Sequence, residues 1–586
     1  LRLLVLPLVL VGAFFAWRFF TTQADTEAPL AVVTPAATLP VGTAPPSASA
    51  SATAIAQGGR PPATTPRSTA TPTPRATAVP AAGRTPAPTA APRVTPAPSP
   101  RTGVAPVVVA YDSFPSYHTW AYAARKGYAG NVPVEARGFG FEEDNPTEAE
   151  KFARLRSGRY QALVTTLDSC ALQCDDSMVV PFVIDESAGA DEWYVREPIR
   201  TFNDLAGKRV CFTERTVSHA MYVSIGANLD LLDKMQAVPR PDVNAALDAF
   251  NAGACDSVLA WVPNTEVKLY QGGNLRSGVR KLTDSSRFRF VLDVPIFNKR
   301  WATERPEQAQ ALTDAYFRAL KDVQENPESA GQFLLDSFKN TKSVDNAVGW
   351  SEWSGIEKKE DLRTQLGTIA QATLGQNRLA LNDPGLLASR IAEFRTFWTR
   401  AGVQGSSTDP AQLVDNRFLL KASDSAPLAA NTPPVNASFS LATKITMPRL
   451  SDAELGRTQE VAKLPVERIG FRPDSFEILP ASQRSLLEMS ELLRRTPGLY
   501  LFIDGRAAKP LGSAAQETID VAQNRANAVA NFLAAQPGID INRLVVTWPR
   551  NDAELRQKLR FYDSFREDEL EQDRLVIFTL RQAGGQ

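Results

Sequence analysis

The chain has 586 residues, too many for one hydrophobic core, so several folded or unfolded regions are expected. Its 64 basic and 64 acidic side chains cancel to a formal charge of zero, which removes the electrostatic case for nucleic acid as a partner. Only two histidines and four cysteines occur. No His-Glu-x-x-His and no paired Cys-x-x-Cys spacing is present, so neither a metal centre nor a cofactor is expected.

Residues 1–24 open the chain, and from Leu1 to Phe20 they are apolar apart from Arg2 and Arg18. About 20 such residues at ~1.5 Å rise cross a hydrocarbon core of ~30 Å. An uncleaved, single-pass membrane anchor is therefore expected, with the folded domains outside the cytoplasm; a cleavable signal peptide is the alternative. Residues 25–105 follow as a spacer rich in Ala, Pro and Thr. From Pro29 to Pro106 it carries no acid, no lysine and no aromatic residue. A segment of that composition buries too little apolar surface to offset its ordering entropy. Proline biases it to extended polyproline II, a reach on the order of 100–200 Å.

From Val107 the pattern changes to apolar strand-like runs that alternate with helical segments, which argues a mostly parallel sheet flanked by helices. Four of these runs lead into turns rich in small polar and aromatic residues: YDSFPSYHTW at 111–120, TTLDS at 165–169, TERTVSHAMY at 213–222 and WVPN at 261–264. In open α/β sheets ligands gather at the carboxyl ends of strands, where helix N-termini present free N–H groups. The reading is an α/β domain of two lobes over residues 106–425, the second opening at TFNDLAGKRVCF. MVVPFVID is expected to be one buried strand, and helices are expected at about 308–337, 359–374 and 384–401. His118 and His219 are expected as structural or ligand-contact residues rather than catalysts.

The four cysteines fit an oxidising compartment and allow three connectivities. Cys211 and Cys255 fall on runs that would be neighbouring strands, and Cys170 and Cys174 are close in sequence, so 170–174 with 211–255 is the pairing expected. A bridge between positions four apart on a regular helix strains its geometry, and free thiols are the alternative.

The phrases DLAGKRVCF…TVSHAMYV, AALDAFNAGACDSVLAWVPN and FNKRWATERPEQAQALTDAYFRAL resemble the extracytoplasmic solute-binding proteins of ABC importers. The branch is the one with a type II two-lobed fold that includes binders of sulfonates, taurine and thiamine precursors. The resemblance implies a small-molecule ligand held between the lobes, an ABC permease as partner, and no enzymatic activity. It would place Ser113, Phe114 and Tyr117 on the ligand from the first turn and Thr166 and Asp168 from the second. Thr216 and Ser218 would come from the third, and Trp261 would form a wall. Hydroxyls and free amides would meet a polar head while aromatic faces exclude water. Thr216 and Ser218 equally fit plain helix caps. Asp168 argues against a simple anion and suits an amine or an arginine partner.

Residues 426–460 read as a second linker, and 461–586 as a small α/β sandwich with VERIGF as its first strand. IGFRPDSFEILPAS, DGRAAKPLGSAAQETIDVAQNRANAVANFL and DRLVIFTL resemble the OmpA-like, peptidoglycan-associating domain. In that family an aspartate three residues after a motif glycine, with an arginine on the next helix, grips a wall-peptide carboxylate. Gly505 and Arg525 match, but Ala508 stands at the aspartate position and Arg506 at a histidine. The closing Asn-Arg-Arg-Val becomes Asp573-Arg574-Leu575-Val576. Arg525 alone can still form two parallel hydrogen bonds to a carboxylate. The alternative is a non-transport envelope scaffold or sensor.

Overall fold

A computed structural model describes residues 105–112, 114–140, 143–339, 341–342, 355–423, 446–465, 469–472 and 475–583. The expected anchor and nearly all of the spacer lie outside them, as do Ser113 and residues 466–468. Among the described residues no helix is long and apolar enough to cross a membrane.

The first sheet has seven strands. Six run in the order Ile369–Gln371, Asp185–Ser187, Leu292–Asn298, Ala162–Thr166, Val107–Tyr111 and Val134–Gly138, and Met178–Val179 pairs with Leu292–Asn298. Its core is an aromatic stack in which Trp120 lies 4.6 Å from Tyr316 and Phe182 lies 4.8 Å from Phe317, centroid to centroid. Helix ends follow local chemistry. Thr147 and Glu150 form a reciprocal capping box at the start of Glu148–Ser157, and Gly158, at φ 81°, stops it in the left-handed region that only glycine adopts freely.

The second sheet orders Val279–Asp284, Asp191–Arg196, Ser257–Trp261, Arg209–Thr213 and Gln236–Arg240. Two segments, 187–191 and 284–292, carry the chain between the sheets, so the second lobe begins at Asp191, ahead of the expected TFNDLAGKRVCF. Ser285 stitches the two crossings together. Its hydroxyl lies 2.6 Å from Ser187 Oγ and accepts from the amides of Gly189 at 2.8 Å and Asp191 at 3.2 Å.

Several boundaries differ from expectation. MVVPFVID gives two short strands around an irregular run, not one. The helix expected at 308–337 is two, Pro306–Glu325 and Pro327–Phe338, because a proline at 327 cannot continue the hydrogen-bonded ladder. The stretch 359–374 is a helix, Lys359–Leu366, and then the strand Ile369–Gln371, which pairs with Asp185–Ser187. Cys170 is bonded to Cys174 and Cys211 to Cys255. The 170–174 bridge does not lie along a regular helix: Leu167–Gln173 ends one residue short and Cys174 is extended. Cys255 sits in the loop before Ser257–Trp261 rather than on the strand.

The C-terminal domain is a four-stranded sheet in the order Gln459–Lys463, Val576–Gln582, Tyr500–Gly505 and Leu544–Thr547, backed by the helices Pro480–Arg495 and Ala515–Ala534. Its edge strand precedes the expected VERIGF, so ordered structure begins inside the expected linker. This domain is docked on the second lobe and on the helix Gly385–Arg400. Asn203 exchanges two hydrogen bonds with the backbone of Lys463, and Arg495 is ion-paired to Glu393. Arg495 O accepts from the amide of Arg289 at 3.0 Å. A Cβ on Gly498 would stand 2.6 Å from Ser286 O, so only glycine permits this approach. Residues 286–289 belong to the second inter-lobe crossing, which makes the C-terminal domain a brace on the hinge.

Candidate ligand-binding cleft

The strand ends that face the other lobe carry the polar groups. In the first lobe, register sets Asp293 opposite both Thr166 and Asp185. In the second, it sets Asp191 opposite Trp261. Tyr117, in the turn after Val107–Tyr111, is buried with its hydroxyl beside Asp293; burial and that carboxylate keep it protonated. Asp168 lies in the first turn of Leu167–Gln173 with no solvent exposure. The lobes are closed on one another at this point. Phe114 and Leu366 pack with Val262 and Ile369 across the seam, and Trp398 donates from Nε1 to the carbonyl of Asp168 at 2.9 Å.

The seam is polar and unsatisfied. No donor makes a well-aligned hydrogen bond to either carboxylate oxygen of Asp168, Asp185 and Asp293 or to Oδ2 of Asp191 among the described residues, although the hydroxyls of Thr166, Ser116, Tyr117 and Ser187 stand beside them. The hydroxyls of Ser116, Thr213 and Tyr316 are also without one. Buried polar groups are normally paired, since leaving one unmade costs about 1–3 kcal/mol. Burial pushes the Asp168 carboxyl up to about 7, although the Thr166 hydroxyl and the amides at the helix start favour its charge. Burial likewise raises Asp191 to about 7, with the Asp168 carboxylate adding to it. Burial raises Asp185 to about 7, although Ser116 and Asp293 beside it pull the other way, and burial followed by the Asp185 charge holds Asp293 well above its ordinary value.

Of the expected ligand contacts, Phe114, Tyr117, Thr166, Asp168 and Trp261 are thus brought to one seam, while Ser113 lies outside the described residues. Thr216 precedes the helix Val217–Asn228 but does not cap it; its hydroxyl donates to Thr213 O at 3.0 Å. Ser218 is buried in that helix's first turn, and the helix packs on the one bearing Asp168. His219 has a structural setting: Nδ1 accepts from the Arg215 amide at 3.2 Å and the ring stacks on Phe212 at 4.6 Å. Burial, and then the Arg215 charge, hold it neutral with a pKa lowered to about 4. The sequence reading missed Asp185, Asp191, Asp293, Ser116 and Tyr316. A signal existed for two of them: a lone acid inside an apolar run, as in PFVIDES and FVLDVPIF, has no reason to be there unless it serves a site or a hinge.

In the C-terminal domain Arg525 is buried. Its guanidinium carbon lies 5.0 Å from the centre of the Phe471 ring, and Nε donates to Ser475 O at 3.3 Å. Asp504 is bound to Lys558, Arg506 and Thr547, so it does not replace the acid missing at Ala508. Asp573 accepts from the amides of Arg560 and Phe561 and holds a turn. Between the helices Gly385–Arg400 and Pro480–Arg495 runs a groove of about 1240 Å³ with alternating charges at Glu393, Arg400, Arg484 and Glu488, away from the seam.

Two sequence families match the chain. Residues 189–330 match the family described as NMT1/THI5 like, and residues 470–557 match the OmpA family. The chain thus joins a region that matches the NMT1/THI5-like family to a C-terminal region that matches the OmpA family. No curated protein matches it. Among solved structures it is similar to the periplasmic aliphatic sulphonate binding protein SsuA from Escherichia coli. That pair shares 16% identity over 53% of this chain and 91% of the other, with a TM-score of 0.41. The periplasmic nitrate-binding protein NrtA from Synechocystis PCC 6803 gives 12% identity, 56% and 90% coverage and a TM-score of 0.39. The desulfurization enzyme DSZB gives 15%, 54%, 98% and 0.35, so both binding proteins and an enzyme occur among these structures.

Proposed function

We propose that the chain is a membrane-tethered, extracytoplasmic receptor that captures one small molecule between its lobes and delivers it to an ABC permease, with the C-terminal domain associating with the cell wall. One observation supports the ligand half above the others: buried polar groups from both lobes converge on a seam where the protein's own donors leave most of them without a well-aligned partner. A ligand would supply them. The experiment is native mass spectrometry of the gently purified full chain, in which a small organic molecule should travel with the protein and leave on unfolding.

The anchoring half is supported by the OmpA-family match, and the sequence resemblance sets Arg525 at the arginine of the family's motif. In a pull-down with isolated peptidoglycan, Arg525→Ala should retain at least several-fold less protein than wild type. Equal retention would remove Arg525 from the mechanism. A second reading, an envelope sensor without transport, is favoured by the brace that the C-terminal domain forms on the 284–292 crossing. Through it, lobe closure and wall contact could each bias the other.

A further inference from the structure

The seam's chemistry narrows the ligand class beyond capture of a small molecule, and the narrower class rests on that capture taking place. We propose that the cleft receives a small organic cation carrying N–H donors, a protonated amine or guanidinium group, seated among Asp168, Asp185, Asp191 and Asp293. Three observations converge on it. First, the four acids come from both lobes and from four different elements, are buried, and have only neighbouring hydroxyls and helix amides near them, with no well-aligned hydrogen bond at seven of their eight oxygens. Second, the basic side chains on adjoining elements are committed to other acids: Lys151 to Asp112 and Glu148, Arg289 to Glu186, and Lys281 to Glu192. No arginine or lysine figures among the interactions found for the four acids. Third, Tyr316, itself fully buried, faces the Asp185–Asp293 pair with an unpartnered hydroxyl, and the buried Ser116 hydroxyl lies beside Asp185.

These features select the ligand's chemistry. Once ionised, above about pH 7 for Asp168 and Asp191, carboxylates in a dry site are acceptors only and need N–H donors, which an ammonium or guanidinium provides and an anion does not. A sulfonate or nitrate there would face like charge at short range in a low dielectric. A metal ion does not fit either, because among the described residues no group of His, Cys, Asp and Glu side chains is arranged to hold one. Trp261, Phe114 and Tyr117 line the same seam, and aromatic faces attract cations.

The test is thermal unfolding of the full chain at pH 8 with putrescine, spermidine or agmatine, against choline, taurine, methanesulfonate and nitrate at equal concentration. At least one N–H cation should raise Tm by several degrees, choline by less, and the anions not at all. In Asp168→Asn and Asp293→Asn the empty protein should melt no lower than wild type, since each change removes a buried charge. Their affinity for the active cation should fall at least tenfold. A shift from an anion and none from the cations would overturn the cation proposal and leave small-molecule capture standing. A shift unchanged in both variants would overturn it too, by placing the binding elsewhere. A choline shift equal to agmatine's would overturn the need for N–H donors. No shift with any probe would count against both readings.

Discussion

Gly505→Ala should unfold the C-terminal domain or come close to it. A Cβ at this position would lie 2.2 Å from Ala522 O and 2.8 Å from Ala526 Cβ, so the strand Tyr500–Gly505 touches the helix Ala515–Ala534 backbone to backbone. The helix cannot yield cheaply, because Ala522 and Ala526 are fully buried on its packed face beside Val529 and Leu533. Overpacking of this kind costs about 3 kcal/mol or more, a large share of a small domain's stability. Calorimetry of the full chain should show the C-terminal transition lost or strongly lowered while the two-lobed domain melts nearly as before. The glycine that carries the OmpA-like resemblance therefore has a packing reason for its place, independent of any wall ligand.

Raising the pH from about 5.5 to 8 should destabilise the empty chain. Asp168 has its carboxyl raised to about 7 in the fold, against an ordinary 3.8, so between those limits the folded state binds more protons than the unfolded one. Stability must then fall as pH rises through that window, and the loss is complete above pH 7. For Asp168 alone it amounts to about 4 kcal/mol over the whole window, of which about 2 kcal/mol falls above pH 5.5. Asp191 adds in the same direction, as do Asp185 and Asp293 as a coupled pair. His219 opposes them: with its folded pKa lowered to about 4, it contributes stability that rises with pH between there and its ordinary 6.5. One histidine against four acids leaves the net slope negative, most steeply between about pH 5 and 7. Urea midpoints across that range should decline in wild type and decline less in Asp168→Asn. A flat profile would mean that the four carboxylates are paired or hydrated in solution.

Much of the fold was legible because it is local. Strand–turn–helix alternation, the capping box at Thr147 and Glu150 and the glycine stop at 158 are each written within a few residues. What escaped is non-local. Ile369–Gln371 reads as the end of a helix, and becomes a strand only because Asp185–Ser187 offers it an edge. Gln459–Lys463 looks like linker until the last strand of the chain pairs with it. The cleft divided the same way. Tyr117, Thr166, Asp168 and Trp261 stand at strand-to-helix turns, where sequence places ligand contacts. Asp185, Asp191 and Asp293 flank the crossings between lobes, and nothing short of the sheet register brings them together.

The most direct measurement is the mass of what the closed cleft holds. Native mass spectrometry of the full chain, purified without heat or denaturant, should find one small organic molecule per chain. Unfolding should release it, and Asp293→Asn should reduce its occupancy. A bare polypeptide mass, unchanged after incubation with small-molecule extracts or with any of the cationic and anionic probes, would contradict a ligand-capturing cleft.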